Sequence, residues 1–256
     1  MIELNKIYNE DCLEGMKRIK DKSIDMILCD LPYGEVECKW DSIISFKKLW
    51  IEYERIIKDN GAIALTSSFK FAIKLIQSNE KMFKYELIWD KVKPSNIFVG
   101  KLRPLCKHEY ILIFSKGNIA NGSKNNMVYY PIMEEQKERS SKLYSQSDLR
   151  YRKNLKSVET KRDKKYPKSI LTFSNAKQKG KVHPTQKPVE LFEYLIKTYT
   201  NENELVLDNC IGSGTTAIAA INTNRNYIGF ELDESYYNIA QNRINEYISK
   251  NKNSES

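Results

Sequence analysis

The sequence lacks any run of about 18 consecutive apolar residues, and its N-terminus lacks the apolar core of a signal peptide. We therefore expect no membrane span and a cytoplasmic protein. The five cysteines are scattered and form no Cys-x-x-Cys pair. This spacing excludes the usual zinc and disulfide frameworks, and predicts reduced thiols and no metal site.

Two common phosphate-binding signatures are also missing. The segment "IGSGTT" at 211–216 has two glycines, but no lysine follows the second one, so it is not a Walker-type loop. Thr215 and Thr216 follow in place of the residues that would complete Gly-x-Gly-x-x-Gly. The glycine loop therefore matches neither of these two signatures.

The chain has 256 residues, of which 41% are hydrophobic, enough for one domain with an insertion. Short apolar runs such as "DMILCD" alternate with amphipathic helical patterns such as "ISFKKLWIEYERIIKDNG", which we expect to end at Asn60-Gly61. Strands that alternate with helices predict a mainly parallel sheet with helices on both faces.

The net charge of +9 is concentrated in one stretch. Residues 116–168 contain 14 Lys and Arg against 6 Asp and Glu, a balance of +8 that leaves the rest close to neutral. Five tyrosines lie in the same stretch, and basic residues interleaved with aromatics suit a nucleic acid. Helical and strand periodicity fade over 117–170. A solvated insertion has the same composition, so charge alone leaves both interpretations open.

The segment "ELVLDNCIGSGTTAIAAI" predicts a strand, a glycine loop and a helix. Asp208 closes the strand, and Gly212 and Gly214 allow a ligand to approach the backbone closely. Glu231 ends the next strand, 23 residues after Asp208, where an acid can accept hydrogen bonds from ribose hydroxyls. Together these residues favour a nucleoside cofactor over an ordinary tight turn.

The tetrapeptide Asp30-Leu31-Pro32-Tyr33 follows another predicted strand. The Asp30 carboxylate and the Leu31 carbonyl offer two acceptors, Pro32 fixes the peptide direction, and Tyr33 offers a face for stacking. Two acceptors and a ring suit the amino group of a planar base, because they stabilise the positive charge that develops as the nitrogen attacks. In isolation the tetrapeptide is better explained as a Pro-Tyr turn with a capping Asp.

With these residues in place, the chain resembles the DNA amino-methyltransferases, which methylate adenine N6 or cytosine N4 with S-adenosylmethionine. "DLPY" is similar to their catalytic tetrapeptide, and "VLDNCIGSGTT" is similar to their cofactor loop. "IYNEDCLEGM", "HPTQKPVELFEYLI" and "IGFELDESYYNIAQNRI" resemble three further segments. The order of the segments resembles the β group of these enzymes.

The resemblance implies a Rossmann-like sheet of seven strands. Residues 1–116 would form the catalytic half, 117–170 an inserted target-recognition region, and 171–256 the cofactor-binding half. It implies double-stranded DNA as partner, and a possible homodimer and cognate restriction endonuclease. The implied site residues fall into two sets. The catalytic set is Asp30, Leu31, Pro32 and Tyr33; the cofactor set is Asp11, Thr185, Lys187, Asp208, Gly212, Gly214, Thr215 and Glu231. The resemblance does not reach the basic stretch, where the charge of the cluster Lys161, Arg162, Lys164 and Lys165 predicts contacts with DNA phosphates.

The chain departs from the family pattern at two places. Asn209 and Cys210 replace a Pro-Phe pair, so we expect the contact that this Phe makes near the cofactor and the target base to be weaker or supplied elsewhere. Leu31 replaces a proline but keeps its carbonyl group. Asp at the first tetrapeptide position favours adenine N6, with cytosine N4 as the alternative. A non-catalytic nucleic-acid-binding module that retains the fold is the alternative from another class.

Overall fold

The computed structural model describes residues 2–34, 43–95, 97–144, 157–175 and 186–252. The chain divides into two compact units. The larger comprises Met1–Tyr130 and Ser169–Ser256, and the smaller comprises Pro131–Lys168. The smaller unit lies within the predicted insertion of 117–170, while residues 117–130 belong to the larger unit. Within the described residues, no helix is long and apolar enough to cross a membrane.

An eight-stranded sheet forms the centre of the larger unit. Its strands are β1 (Lys6–Asn9), β2 (Ile24–Cys29), β3 (Ile57–Ser67), β4 (Phe83–Asp90), β5 (His108–Phe114), β8 (Ile170–Thr172), β9 (Leu205–Asp208) and β10 (Asn226–Glu231). Their order across the sheet is β1-β10-β9-β2-β3-β5-β4-β8. Every strand of this sheet but β5 points the same way, because β5 pairs antiparallel with both β3 and β4.

Helices cover both faces of the sheet. They are α1 (Cys12–Met16), α2 (Phe46–Ile56), α3 (Phe69–Ser78), α4 (Val189–Tyr199), α5 (Thr215–Asn222) and α6 (Glu234–Lys252). The first three pack in one apolar cluster and the last three in the other. Side chains of β2 alternate between the clusters: Met26 and Leu28 point to one, and Ile27 and Cys29 to the other.

The predicted α/β class with a mainly parallel sheet is confirmed, with one strand more than the seven expected. The additional strand β8 pairs parallel with β4, where Leu171 is buried opposite Trp89. The Trp89 indole N–H donates to the carbonyl of Phe173 at 2.8 Å. Because β8 has only three residues, it has too little periodicity to be recognised in the sequence.

The predicted end of α2 is wrong by several residues. The helix ends at Ile56, and Ile57, with extended backbone, begins β3. Ile57 is buried and pairs with Ile24, and a register shift separates this pair from the pair Met26 and Ala62. Burial of an apolar side chain in the sheet thus outweighs the local turn preference of Asn60-Gly61.

The smaller unit contains a two-stranded antiparallel sheet of β6 (Glu134–Tyr144) and β7 (Ser157–Lys165). Neither strand is predictable from the sequence, because a charged strand that is polar on both faces has no apolar alternation. An ion pair of 3.0 Å joins Lys165 of β7 to Glu134 of β6.

Candidate active site

The two sequence motifs meet because their strands are neighbours. β2 and β9 pair in parallel through Met26 with Val206 and Ile27 with Leu207, so their carboxyl ends lie at the same edge of the sheet. Asp30 directly follows β2, and Asp208 is the last residue of β9. This edge is where open α/β sheets bind ligands.

The glycine loop needs glycine at two positions for different reasons. Gly212 has a φ of 52° and Gly214 a φ of 81°, a left-handed region that other residues rarely adopt. A Cβ on Gly212 would enter open space, whereas one on Gly214 would approach Ala240 and Ile244 of α6. Gly212 therefore leaves room for a ligand, and Gly214 lets α5 begin close to α6.

Glu231 ties the end of β10 to the glycine loop. Its carboxylate accepts hydrogen bonds from the backbone N–H groups of Gly212 and Asp233, both at 2.9 Å. Burial raises the pKa of Glu231, although these two bonds oppose the shift. The carboxylate is thus held at the sheet edge next to the position left open at Gly212.

Asp208 is buried beneath the same loop. Its carboxylate accepts hydrogen bonds from the Thr216 hydroxyl and from the Cys210 backbone N–H, the latter at 3.1 Å. Burial raises the pKa of Asp208 to about 7. Asp11, at the start of α1, accepts from the Leu13 N–H at 2.7 Å and caps that helix.

The tetrapeptide places the Asp30 carboxylate at the centre of several polar contacts. One oxygen accepts from the hydroxyls of Tyr33, at 2.8 Å, and Thr66. The Tyr33 ring packs against Phe71 with centroids 4.9 Å apart, and burial raises the pKa of Tyr33 well above its usual value. The Tyr33 hydroxyl therefore stays protonated and donates to the Asp30 carboxylate, and these contacts fix the orientation of the ring.

Lys187 connects this carboxylate to a second one. Its Nζ lies 2.7 Å from Asp30 Oδ2 and 3.3 Å from Glu109 Oε2. The other oxygen of Glu109 pairs with Lys91 at 3.2 Å, and Lys91 also donates to Ser95 at 2.8 Å. Burial alone would lower the pKa of Lys187, but the two carboxylates outweigh it and raise the pKa, so the side chain stays charged.

Lys91 and Glu109 are not among the site residues predicted from the sequence. Lys187 is predicted there as a cofactor residue, and the structure places the Lys187 ammonium against Asp30 of the tetrapeptide. The available signal was a charged residue on each side of the connection between two antiparallel strands: Lys91 directly follows β4, and Glu109 lies at the start of β5.

A single cavity of about 810 Å³ connects the two motifs, a volume in the range of small-molecule sites. Its walls include most of the residues predicted from the sequence: Asp11, Asp30, Leu31, Pro32, Tyr33, Lys187, Asp208, Gly212, Thr215 and Glu231. Gly214 lies beside the cavity and faces α6. Thr185 lies outside the described residues.

The departure at Asn209-Cys210 has a structural explanation. Asn209 is buried, and its side-chain oxygen accepts a hydrogen bond from the Tyr53 hydroxyl at 2.5 Å. Its amide group lies 3.5 Å from the sulfurs of Cys12 and Cys210. The loop is thus fastened to α2 by a polar contact, and Cys210 contributes a small side chain to the cavity wall.

The predicted DNA-contacting residues lie on β7. Lys164 is exposed, and Lys165 is engaged with Glu134. The backbone of Lys161 and Arg162 is part of the strand, and their side chains lie outside the described set. Two of the five tyrosines of the basic stretch belong to the larger unit, where the Tyr130 hydroxyl accepts from Asn201 at 2.6 Å and the Tyr129 ring lies 6.3 Å from that of Tyr199.

Comparison with known proteins agrees with this arrangement. The sequence pattern of the DNA methylase family, which covers N6 and N4 amino-methyltransferases, matches residues 24–242. The type II methyltransferase M1.MboII of Moraxella bovis is 29% identical over 96% of this chain and 98% of its own length. M.HinfI of Haemophilus influenzae is 30% identical over 98% of this chain and 70% of its own length.

Solved structures show the same fold. The M1.HpyAVI–SAM complex has a TM-score of 0.59 and 25% identity, and covers 94% of this chain and 98% of that one. The cytosine-N4-specific PvuII methyltransferase has a TM-score of 0.63 at 16% identity, covering 92% of this chain and 84% of that one. At that identity it supports the fold only.

The chain therefore belongs to the N6/N4 DNA methylase family. It is a DNA methyltransferase that uses S-adenosylmethionine, as the resemblance in the sequence implied. The enzyme hypothesis is thus favoured over a non-catalytic binding module. The family includes both adenine-directed and cytosine-directed enzymes, so membership alone does not assign the base.

Proposed function

We propose that this protein methylates the N6 amine of adenine at a specific sequence in duplex DNA. The observation that carries the proposal is the single cavity that joins Asp30 and Tyr33 at one end to Gly212 and Glu231 at the other. Such a cavity brings a base amine and a methyl donor together. Asp at the first tetrapeptide position supports adenine over cytosine.

We assign the cofactor to the end of the cavity formed by the glycine loop. Glu231 would accept the ribose hydroxyls, Gly212 leaves the space for the cofactor to approach, and Asp11 and Asp208 complete the wall with Thr215. When bound there, S-adenosylmethionine supplies an activated methyl group on a sulfonium sulfur.

We assign the target base to the other end. The Tyr33 ring would stack on the base after it leaves the helix, and the Asp30 carboxylate and the Leu31 carbonyl would accept the two N–H bonds of its amine. These acceptors stabilise the positive charge that develops on the nitrogen during attack. No strong base is needed, because the proton is acidic once the nitrogen has gained the methyl group.

We propose that the basic segment within 117–170 recognises the DNA, with Lys161, Arg162, Lys164 and Lys165 on phosphates. Phosphate contacts would position the duplex, and other side chains would read its sequence. A homodimer and a cognate endonuclease are further proposals, supported by the type II relatives. Light scattering of the purified protein, alone and with DNA, tests the dimer.

The base assignment is tested by incubating the protein with methyl-labelled S-adenosylmethionine and genomic DNA, and then digesting the DNA to nucleosides. We expect label in N6-methyladenine. Label in N4-methylcytosine would mean that cytosine is the target base, and the assignment of the site residues would stay unchanged. Label in 5-methylcytosine would contradict the proposed chemistry.

A further inference from the structure

The ammonium of Lys187 and the carboxylate of Asp30 form a donor and an acceptor side by side in the cavity. Asp30 Oδ2 and Lys187 Nζ are 2.7 Å apart, and both residues line the wall where we place the target base. Lys187 Nζ also lies 5.8 Å from the centroid of the Tyr33 ring. A base stacked on that face of Tyr33 would have its edge beside both groups.

Lys187 has donor capacity left after its contacts with protein. An ammonium has three N–H donors. Asp30 accepts one, and Glu109 Oε2 faces the ammonium at 3.3 Å. Among the described residues, no other group forms a hydrogen bond or an ion pair with Lys187 Nζ. Within this part of the chain, one N–H of the ammonium therefore has no acceptor and can serve a ligand.

We propose that Lys187 is a specificity-determining residue that donates a hydrogen bond to the unprotonated ring nitrogen beside the reactive amine. That nitrogen is N1 in adenine and N3 in cytosine. An acceptor and a donor 2.7 Å apart match an amine and an adjacent ring nitrogen, which present a donor and an acceptor in the same order. This inference rests on the proposed placement of the base.

The same pair explains which base is excluded. On the edge that corresponds to adenine N6 and N1, guanine has a carbonyl oxygen and an N–H, so an acceptor would face Asp30 and a donor would face Lys187. The charges around the pair also favour a neutral ligand, since Asp30 and Glu109 balance Lys187 and Lys91. The ammonium can thus orient a neutral base by a hydrogen bond, and because its charge is balanced it does not attract a phosphate into the base pocket.

The Lys91–Glu109 pair holds Lys187 in place. Glu109 contacts both lysines, and Lys187 Nζ, at 3.3 Å, is the ion-pair partner of its buried Oε2 atom. Lys91 is buried and fixed by Ser95. Glu109 and Lys91 are therefore positioning residues, because they restrict the ammonium to the side of Asp30.

The test replaces the target adenine by 1-deazaadenine, which has a C–H in place of N1, in a duplex whose methylated site has been mapped. The matched control is 7-deazaadenine, which changes the other neighbour of the amine. We expect the wild-type protein to lose about 10- to 100-fold in kcat/KM on 1-deazaadenine, the effect of one hydrogen bond from a charged donor. The 7-deazaadenine duplex should keep most of its activity.

Two variants of Lys187 test the same hydrogen bond from the side of the protein. Lys187→Met removes the donor, so it should lose activity on adenine and show no further loss on 1-deazaadenine. Lys187→Gln keeps a neutral N–H donor and a similar length, and should retain part of the discrimination. Because the wild-type arm needs no variant, the test stands even if Lys187→Met fails to fold. If 1-deazaadenine leaves the duplex more easily than adenine, the effect is the same for the wild type and the two variants, so it cancels when their losses of activity are compared.

Calorimetric titration with S-adenosylmethionine separates this role from one in cofactor binding. We expect the affinity of Lys187→Gln to match that of the wild type. Lower cofactor affinity together with an unchanged penalty for 1-deazaadenine would overturn the proposal. If the methyl group is found on cytosine, the adenine assignment fails, and the role of Lys187 is then tested in the same way with 3-deazacytosine.

Discussion

The Glu231 carboxylate accepts a hydrogen bond of 2.9 Å from the backbone N–H of Gly212. This bond joins the carboxyl end of β10 to the glycine loop that follows the neighbouring strand β9. It fixes the loop at the point where a Cβ on Gly212 would project into open space. The bond therefore helps to define the shape of the loop around that open space.

Replacing Gly212 by alanine tests whether that open space belongs to the cofactor. The left-handed backbone should cost about 1–2 kcal/mol of folding free energy, and the new methyl group should lower the affinity for S-adenosylmethionine by about tenfold or more. Gly122 provides the matched control, because it has a φ of 78°, open space around its Cβ position and no contact with the cavity. Denaturation and calorimetry measure the two effects.

Gly122→Ala should show a similar loss of stability and wild-type cofactor affinity. Equal affinities for the two variants would place the cofactor elsewhere.

The buried carboxyl of Asp208 predicts a stability that depends on pH. Its pKa is about 7 in the folded chain and near 3.8 when unfolded, so the unfolded state releases its proton first as the pH rises. The contribution of Asp208 to the free energy of unfolding therefore falls as the pH rises from about 4 to about 7, and it is constant above that. We expect Asp208→Asn to gain stability relative to the wild type over that interval, as measured by urea denaturation from pH 5 to 8.

A constant difference between the two proteins across this range would show that Asp208 titrates normally. Their difference is the quantity to compare, since burial also raises the pKa of Glu231, and that residue is present in both.

The parts of the site that could be predicted from the sequence are local. Asp30 and Asp208 each follow an apolar strand, and Gly212 lies in a loop before a helix, so a few neighbouring residues define the geometry. The parallel arrangement then follows from the alternation of strands and helices, and it brings these residues to one edge.

The charged network around Asp30 could not be predicted, because it depends on pairing between distant strands. Glu109 reaches the site only because β5 runs antiparallel between β3 and β4, and Lys91 because β4 ends beside it. Nothing within a few residues of either side chain specifies these neighbours. The same limit applies to Thr66 on β3, whose hydroxyl donates to Asp30.

The basic segment leads to a prediction about salt. If about half of its 14 basic side chains contact phosphate, the slope of log affinity against log salt concentration should be near −6, taking roughly −0.9 per contact. Neutralising the cluster Lys161, Arg162, Lys164 and Lys165 should flatten the slope and weaken binding to all sequences alike. Lys165 should contribute least, since it already pairs with Glu134.

The measurement is a salt titration on a specific and an unrelated duplex. A control variant neutralises four exposed lysines that lie near the opposite edge of the sheet from the cavity: Lys20, Lys22, Lys81 and Lys197. The control should keep the wild-type slope. A cluster variant that loses only specific binding would mean that these side chains read bases rather than phosphates.

The central claim is that Asp30 acts on the target amine while the cofactor binds at the other end of the cavity. Removing one well-placed acceptor typically costs about 10²–10³ in rate. Asp30→Ala also leaves Lys187 without its nearest carboxylate, so the double variant Asp30→Ala/Lys187→Met is the control for an unpaired buried charge.

The decisive measurement is single-turnover methylation by Asp30→Ala, with cofactor affinity determined on the same preparation. We predict a loss of about 10²–10³ in the rate of methyl transfer, with S-adenosylmethionine bound about as tightly as by the wild type. Near-wild-type transfer would contradict the role of Asp30. Loss of cofactor binding in both the single and the double variant, with the fold intact, would contradict the separation of the two ends of the cavity.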